Sequence, residues 1–307
     1  MKLAALLVVA AGAPLCATTW YVTVAGLGGL PEYDSRFAEL ARELDKTLQS
    51  AAADARVETL TGEAATREKL RSTLESIARQ AQPQDELVLL LIGHGTFDGA
   101  EYKFNLKGPD LGAPELAAML DGVAARQVVV NTTSASGGCV DALRRENRVV
   151  IAATRSGTEK NATVFAKYFV EAFRDPSADT DKNDALSALE AFRYADQKTA
   201  QFYETQKRLA TEHAVLEDTG KGEAVRAPSA ANGEGLLAGR LTLVRLGAAQ
   251  AAARSPVKQR LLAKREELEG QIEKLKYEKA AMPLEEYRKK LQALLIELAK
   301  TQAELDR

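Results

Sequence analysis

Two uninterrupted apolar runs, each broken by a cluster of small residues, limit this chain more than any other feature. Leu87-Val88-Leu89-Leu90-Leu91-Ile92 leads directly into Gly93-His94-Gly95, and Val128-Val129-Val130 leads into Asn131-Thr132-Thr133-Ser134-Ala135-Ser136-Gly137-Gly138. A run without polar alternation is a strand buried on both faces, the mark of a parallel sheet covered by helices. In such a sheet the loops leaving the carboxyl ends of the strands gather at one edge, where open α/β folds place their sites. The two runs therefore predict one edge carrying His94 together with the hydroxyls of the second turn. That is the general layout of a nucleophile and its base.

The first 250 or so residues keep the same rhythm. Trp20 to Ala25 reads as a strand closed by Gly26-Leu27-Gly28-Gly29. Arg36 to Ala52 has Phe37, Leu40, Leu44 and Leu48 at helical spacing, and Thr66 to Ala81 has Leu70, Leu74 and Ile77 on one face. Val57 to Leu60 and Arg148 to Ala153 read as strands, Pro114 to Leu120 and Thr163 to Phe173 as helices. Strands alternating with helices at short spacing predict an α/β fold, a three-layer sandwich around a mainly parallel sheet, over residues 19–250. A further helix is expected from Ala185 to Leu209. Gly, Ser, Pro and Asn accumulate from Thr219 to Gly235, which reads as a flexible loop, and Leu236 to Leu246 is mixed in character.

His94-Gly95 after the first run, and Ser134 with Ser136-Gly137 after the second, carry a resemblance. The pattern resembles the caspase–legumain–metacaspase group of cysteine peptidases, the caspase–haemoglobinase fold, over roughly residues 19 to 175. In that group one strand ends in His-Gly. The next ends in an acidic or amide residue, a small residue, the nucleophilic Cys and often x-Ser-Gly. Here Asn131 or Thr132 falls near the acidic slot, Thr133 in the small slot and Ser134 in the Cys slot, and Ser136-Gly137 matches Ser-Gly.

The resemblance implies a pair formed by His94 and residue 134, and a substrate wall that includes Ser136 and Arg155, the latter suited to an acidic side chain. Small residues in this turn would let a substrate backbone approach and let turn N–H groups form an oxyanion hole. A serine hydroxyl is far less acidic than a thiol, so the exchange implies a catalytically degenerate domain that binds a peptide or protein ligand without cutting it. The alternative is a working hydrolase of the same fold using His94 with Ser134 or with Cys139. Cys139 is expected in the first turn of the next helix, either with its thiolate favoured there or packed as a small apolar residue.

Lys and Arg number 41 against 43 Asp and Glu, a net charge of −2, which gives no electrostatic footprint for nucleic acid. Two cysteines and two histidines, Cys16, Cys139, His94 and His213, are too scattered for a disulfide framework or a zinc site. His213 has no companion in the sequence around it. Lys2 followed by an apolar stretch of 11 residues, Leu3 to Ala13, is too short to span a bilayer. It reads as a secretory signal over residues 1–18, making the protein exported (periplasmic or extracellular), with a lipid anchor on Cys16 as the alternative and no transmembrane segment.

Residues 179–190, Asp-Thr-Asp-Lys-Asn-Asp-Ala-Leu-Ser-Ala-Leu-Glu, match the calcium loop of EF-hands. Asp179, Asp181, Asn183, Ser187 and Glu190 supply side-chain oxygens and Ala185 its carbonyl, while Asp184 stands where glycine normally makes the turn. Calcium is thus the one candidate cofactor, and the alternative is an acidic cap region for the following helix. Beyond Pro256, Val257, Leu261, Leu268, Ile272 and Leu275, then Leu284, Tyr287, Leu291, Leu294, Leu298 and Leu305, recur at coiled-coil spacing on either side of Pro283. Residues 256–307 therefore predict an antiparallel helical hairpin of coiled-coil type whose uncovered stripe meets a partner or a second copy, with packing on its own domain as the alternative.

Overall fold

The computed structural model describes residues 17–51 and 55–307, so the expected secretory signal, Cys16 included, lies outside the described residues except for Ala17 and Thr18. Thr18 is tied to the domain, its N–H donating to Asp85 Oδ1 at 2.8 Å. In chain order the elements are β1 (Thr19–Ala25), α1 (Pro31–Ala51), β2 (Ala55–Leu60), α2 (Arg67–Ala78), β3 (Glu86–Ile92), β4 (Gly95–Phe97), β5 (Tyr102–Phe104), β6 (Leu111–Gly112), α3 (Ala113–Asp121), β7 (Arg126–Asn131), α4 (Val140–Leu143), β8 (Arg148–Ala152), α5 (Phe165–Ala172), β9 (Ala185–Ser187), α6 (Ala188–Thr205), β10 (Val215–Glu217), β11 (Thr242–Arg245), α7 (Gly247–Ala252), α8 (Pro256–Tyr277) and α9 (Leu284–Leu305).

Six strands form the main sheet in the order β10-β8-β7-β3-β1-β2, all parallel except β10. The expected α/β architecture is the one observed. Along β3, Val88, Leu90 and Ile92 face a layer built on α1, α5 and α6, with Phe37, Leu44 and Phe169. Leu87, Leu89 and Leu91 face a second layer built on α2 and α3, with Leu70, Leu74 and Leu116. Both faces are covered, which is why the run shows no polar alternation. β3 and β7 are neighbours with Leu91 opposite Asn131, so their carboxyl ends are level. Pairs β9–β11 and a small antiparallel sheet of β4, β5 and β6 complete the body.

Two expectations are corrected in detail. The helix expected from Ala185 begins at Ala188, because Ser187 caps it reciprocally with Glu190 and the three residues before it pair with β11 instead. The stretch 219–235 is irregular but tied down by carboxylates. Glu234 accepts the Asp218 N–H at 2.7 Å, and Asp218 accepts those of Gly235 and Ala238, both at 2.8 Å.

The tail is a helix pair. Each helix has 22 residues, about 33 Å at 1.5 Å per residue. α8 docks on the body through Leu262, packed with Ala249 of α7, and through polar contacts. Arg245 forks onto Glu266 with two bonds of 2.9 Å, Arg265 donates to the Asn183 carbonyl at 2.5 Å, and Tyr277 donates to the Glu234 carbonyl at 2.8 Å. Leu262, Leu268, Ile272 and Leu275 are buried, whereas Val257, expected on the inner seam, is 69% exposed. α9 keeps Leu284, Leu295 and Ile296 about half exposed on its outer side. No helix among the described residues is long and apolar enough to cross a membrane.

Candidate functional site

The level ends of β3 and β7 bring His94 and Ser134 to the same edge of the sheet. The His94 ring lies edge-on to Tyr33 and Phe37 of α1, with centroids 4.8 and 5.1 Å away. Burial, and then the charge of Arg36, hold its pKa below the ordinary value against a smaller opposing pull from Asp34. Among the described residues its ring makes no hydrogen bond to a hydroxyl or carboxylate; its backbone carbonyl accepts the Asn105 N–H at 3.0 Å.

Ser134 is 3% exposed, and its hydroxyl is used in both directions. It donates to the Gly95 carbonyl at 3.0 Å and accepts the Gly95 N–H at 3.1 Å. The side chain is thus a staple between the β7 turn and the start of β4. Next to it, Tyr102 and Thr133 hydroxyls meet at 2.6 Å, Thr133 donates to Asn131 Oδ1 at 2.9 Å, and Asn131 Nδ2 donates to Cys139 Sγ at 3.3 Å.

Cys139 is fully buried in the layer of α2 and α3, across the sheet from the His94–Tyr33–Phe37 cluster. Burial pushes its thiol up to about 12, partly offset by Asn131. The turn that holds it is a short 3-10 segment, Ser136–Cys139, and the thiol packs there as a small apolar residue. His94 and Cys139 are therefore not brought together.

Ser136 is also fully buried, accepting the Thr154 N–H at 3.1 Å and sharing a bond with its hydroxyl at 3.2 Å. Gly137 stands where a Cβ would strike the backbone of Arg155 and Ser156 and come within 2.5 Å of the Thr154 carbonyl oxygen. The small residues of this turn thus admit the chain's own segment 154–156 rather than leaving room for a ligand backbone. Arg155 is exposed on that segment, and its N–H donates to Glu159 at 2.9 Å.

One pair escapes any reading of the sequence. His213 Nδ1 lies 2.6 Å from Glu159 Oε1, and the same carboxylate accepts the His213 N–H at 3.1 Å. The Glu159 carbonyl in turn accepts the Ala135 N–H at 2.8 Å, beside Ser134. The pair is 54 residues apart in sequence, so no local pattern signals it. The solitary His213 of the sequence has its companion here, in the loop before β10, and the pair pins that loop to the site edge. Leu27 and Leu30, 47% and 58% exposed, add an apolar lip on the His94 side.

The acidic loop lies away from this edge, under α8. Asp179 accepts the N–H groups of Asn183 and Asp184 at 3.2 and 3.0 Å, Asp181 accepts that of Asn183 at 3.1 Å, and Asn183 Oδ1 accepts that of Ala185 at 2.8 Å. Asp184 takes φ +59°, the left-handed turn that glycine would otherwise supply. One oxygen each from Asp179, Asp181 and Glu190 lie within 4.8 Å of one another. Glu190 also accepts from Thr180 and Ser187, so part of its capacity goes to the capping box. Burial, then Glu190, raise Asp181 to about 6; Glu269 of α8, which accepts from Asn183 Nδ2 at 3.1 Å, is raised to about 7 by burial above all.

No family model and no curated protein matches this sequence. Among solved structures it is similar to protein GSU0716 from Geobacter sulfurreducens, at 12% identity over 71% of this chain and 97% of that one, with a TM-score of 0.42. It is also similar to the Drosophila initiator caspase Dronc, at 11% identity over 67% and 81%, with a TM-score of 0.43. Raptor from Chaetomium thermophilum matches at 12% identity over 51% of this chain but only 17% of its own, with a TM-score of 0.36. These are low-identity likenesses of fold.

Proposed function

We propose that this is an exported domain of the caspase–legumain type that binds a peptide or protein ligand without cleaving it. The observation that carries this reading is the Ser134 hydroxyl, buried and bonded both ways to the Gly95 backbone at 3.0 and 3.1 Å. A nucleophile needs its proton shared with a base and a lone pair turned to the substrate. Here the proton goes to a backbone carbonyl, and the other candidate, Cys139, is an inert core thiol. The ligand face is the edge that presents His94, Leu27, Leu30 and Arg155, the last suited to an acidic side chain.

A fluorophosphonate and iodoacetamide should label neither Ser134 nor Cys139 in the folded protein, and a peptide library should remain uncut. Ser134→Ala should lower stability by about 1–3 kcal/mol, because it strands two backbone groups of Gly95. Cleavage that disappears in both Ser134→Ala and His94→Ala would replace this reading with the hydrolase.

Calcium is the cofactor of this reading, held by Asp179, Asp181, Asn183, Ser187 and Glu190 with the Ala185 carbonyl. Its affinity should be weak, with a Kd of about 0.1–1 mM. Asp181, held up to about 6, must lose its proton to bind, so affinity should fall as pH drops through 6. Calorimetry on the parent, Asp179→Ala and Glu190→Ala decides this: equal heats from all three leave the loop as a helix start only. The outer stripe of α9 is the place this reading gives a protein partner. Leu295→Glu should weaken that association while leaving the melting temperature unchanged within about 2 °C; an unchanged affinity would remove the hairpin from the binding surface.

A further inference from the structure

The two edges of the main sheet are not alike. The β10 edge is closed by the chain itself: Leu216 and Val225 exchange both backbone bonds, at 2.9 and 2.8 Å. The β2 edge has β1 on its inner side and, among the described residues, no strand on its outer side. Its pairing with β1 runs without interruption from Ala55 to Leu60, so β2 has no bulge, and it contains neither Pro nor Gly. A regular edge strand presents the N–H and C=O groups of alternate residues outward, as a template for another strand.

The order of side chains on this edge says which strand fits. Arg56 and Glu58 lie two residues apart on the face toward α2, and Val57 between them points to the α1 side. Arg56 sits 4.6 Å over Trp20 of β1 and donates to Gln80 Oε1 at 2.9 Å, and Glu58 lies 3.3 Å from Lys69 of α2, so both charges are held on the α2 face of the sheet yet remain substantially exposed. Set a second β2 antiparallel, with a two-fold axis through Val57. Arg56 of one copy then faces Glu58 of the other, and Glu58 faces Arg56. Moving the axis to residue 56 or 58 sets a charge against its own kind. A residue-centred axis also keeps the α2 layers of both copies on one side of the joined sheet. This is the self-complementarity of an isologous interface, in which residue i meets j and j meets i.

We propose that β2 is a self-association edge, where two copies of this chain pair antiparallel about Val57 and join their sheets. A foreign extended peptide would satisfy the same backbone groups, but the Arg56–Val57–Glu58 order selects a second copy. Opposite charges directly across an antiparallel pair stabilise it, and like charges oppose it.

Sedimentation of the full chain across the micromolar range should show a concentration-dependent dimer. Arg56→Glu and Glu58→Arg should each weaken it by about tenfold or more, since either change creates two like-charge oppositions. The double variant should restore it. Val57→Cys should cross-link under mild oxidation, its two thiols meeting at the axis, while Ala55→Cys should not. Leu295→Glu on the hairpin should leave the dimer intact, which separates this edge from the partner surface of α9. A chain that stays monomeric overturns the proposal. So does a dimer whose strength ignores the charge reversals, or one in which Val57→Cys fails to cross-link. If a single reversal disturbs folding, the Val57→Cys result decides alone.

Discussion

Gly137→Ala should be among the most damaging single-methyl additions this protein can receive. The new Cβ would press on the backbone of Arg155 and Ser156 and lie 2.5 Å from the Thr154 carbonyl. Backbone cannot rotate away as a side-chain tip can, so the cost should reach the upper end for overpacking, about 3 kcal/mol or more. The melting temperature should then fall by roughly 6–12 °C, or the protein should fail to accumulate in soluble form. Gly29→Ala is the control: that glycine has nothing within 4 Å of the same position, although its φ of +75° still makes alanine mildly strained. A Gly137→Ala protein that melts within a degree or two of the parent would mean that the β7 turn and segment 154–156 separate readily. The turn would then have room for a ligand after all.

The second large effect is expected at the opposite edge. Arg148 opens β8, is 2% exposed, and divides its guanidinium among Gln127 Oε1 at 2.7 Å, the Leu143 carbonyl at 2.7 Å and Asp121 at 2.8 Å. Arg148→Met fills much of the volume but leaves two buried acceptors unpaired. A loss of about 3–5 kcal/mol is expected. Arg148→Lys should recover little, because an ammonium on a flexible stem cannot serve three diverging acceptors at once. Denaturant titration of both variants checks this; near-parental stability of the lysine variant would show that charge, not the fork, is what the site needs.

The strands and helices of the α/β body are legible because their signal is local. Val88, Leu90 and Ile92 against Leu87, Leu89 and Leu91 serve two different layers, which is what gives a doubly covered strand its unbroken apolar run. The start of α1 is less legible: Pro31 to Ser35 belongs to the helix through its proline and first-turn acids, Glu32 and Asp34, and not through any apolar repeat. The burial of Arg148 has no local signal, since the groups that bury it lie on α3, β7 and the end of α4. At the site the sequence places His94 and Ser134 on one edge but says nothing of where the Ser134 proton goes. Its partner is a backbone group of Gly95, and backbone groups are the same in every sequence. The His213–Glu159 pair is hidden for a related reason, because it joins two loops that only the finished sheet brings together.

The burial of Cys139 has a practical consequence. In a chain with Cys16 replaced by Ser, a thiol reagent would find no thiolate in the closed molecule. Its reaction would proceed only through molecules whose α3-side layer has opened. The ratio of that rate to the rate in denaturant then measures the free energy of this one opening, provided reclosure outruns the chemistry. Asn131 holds the sulfur at 3.3 Å and is also the last residue of β7. The thiol would therefore serve as a clock for the moment when the strand end beneath Ser134 lets go.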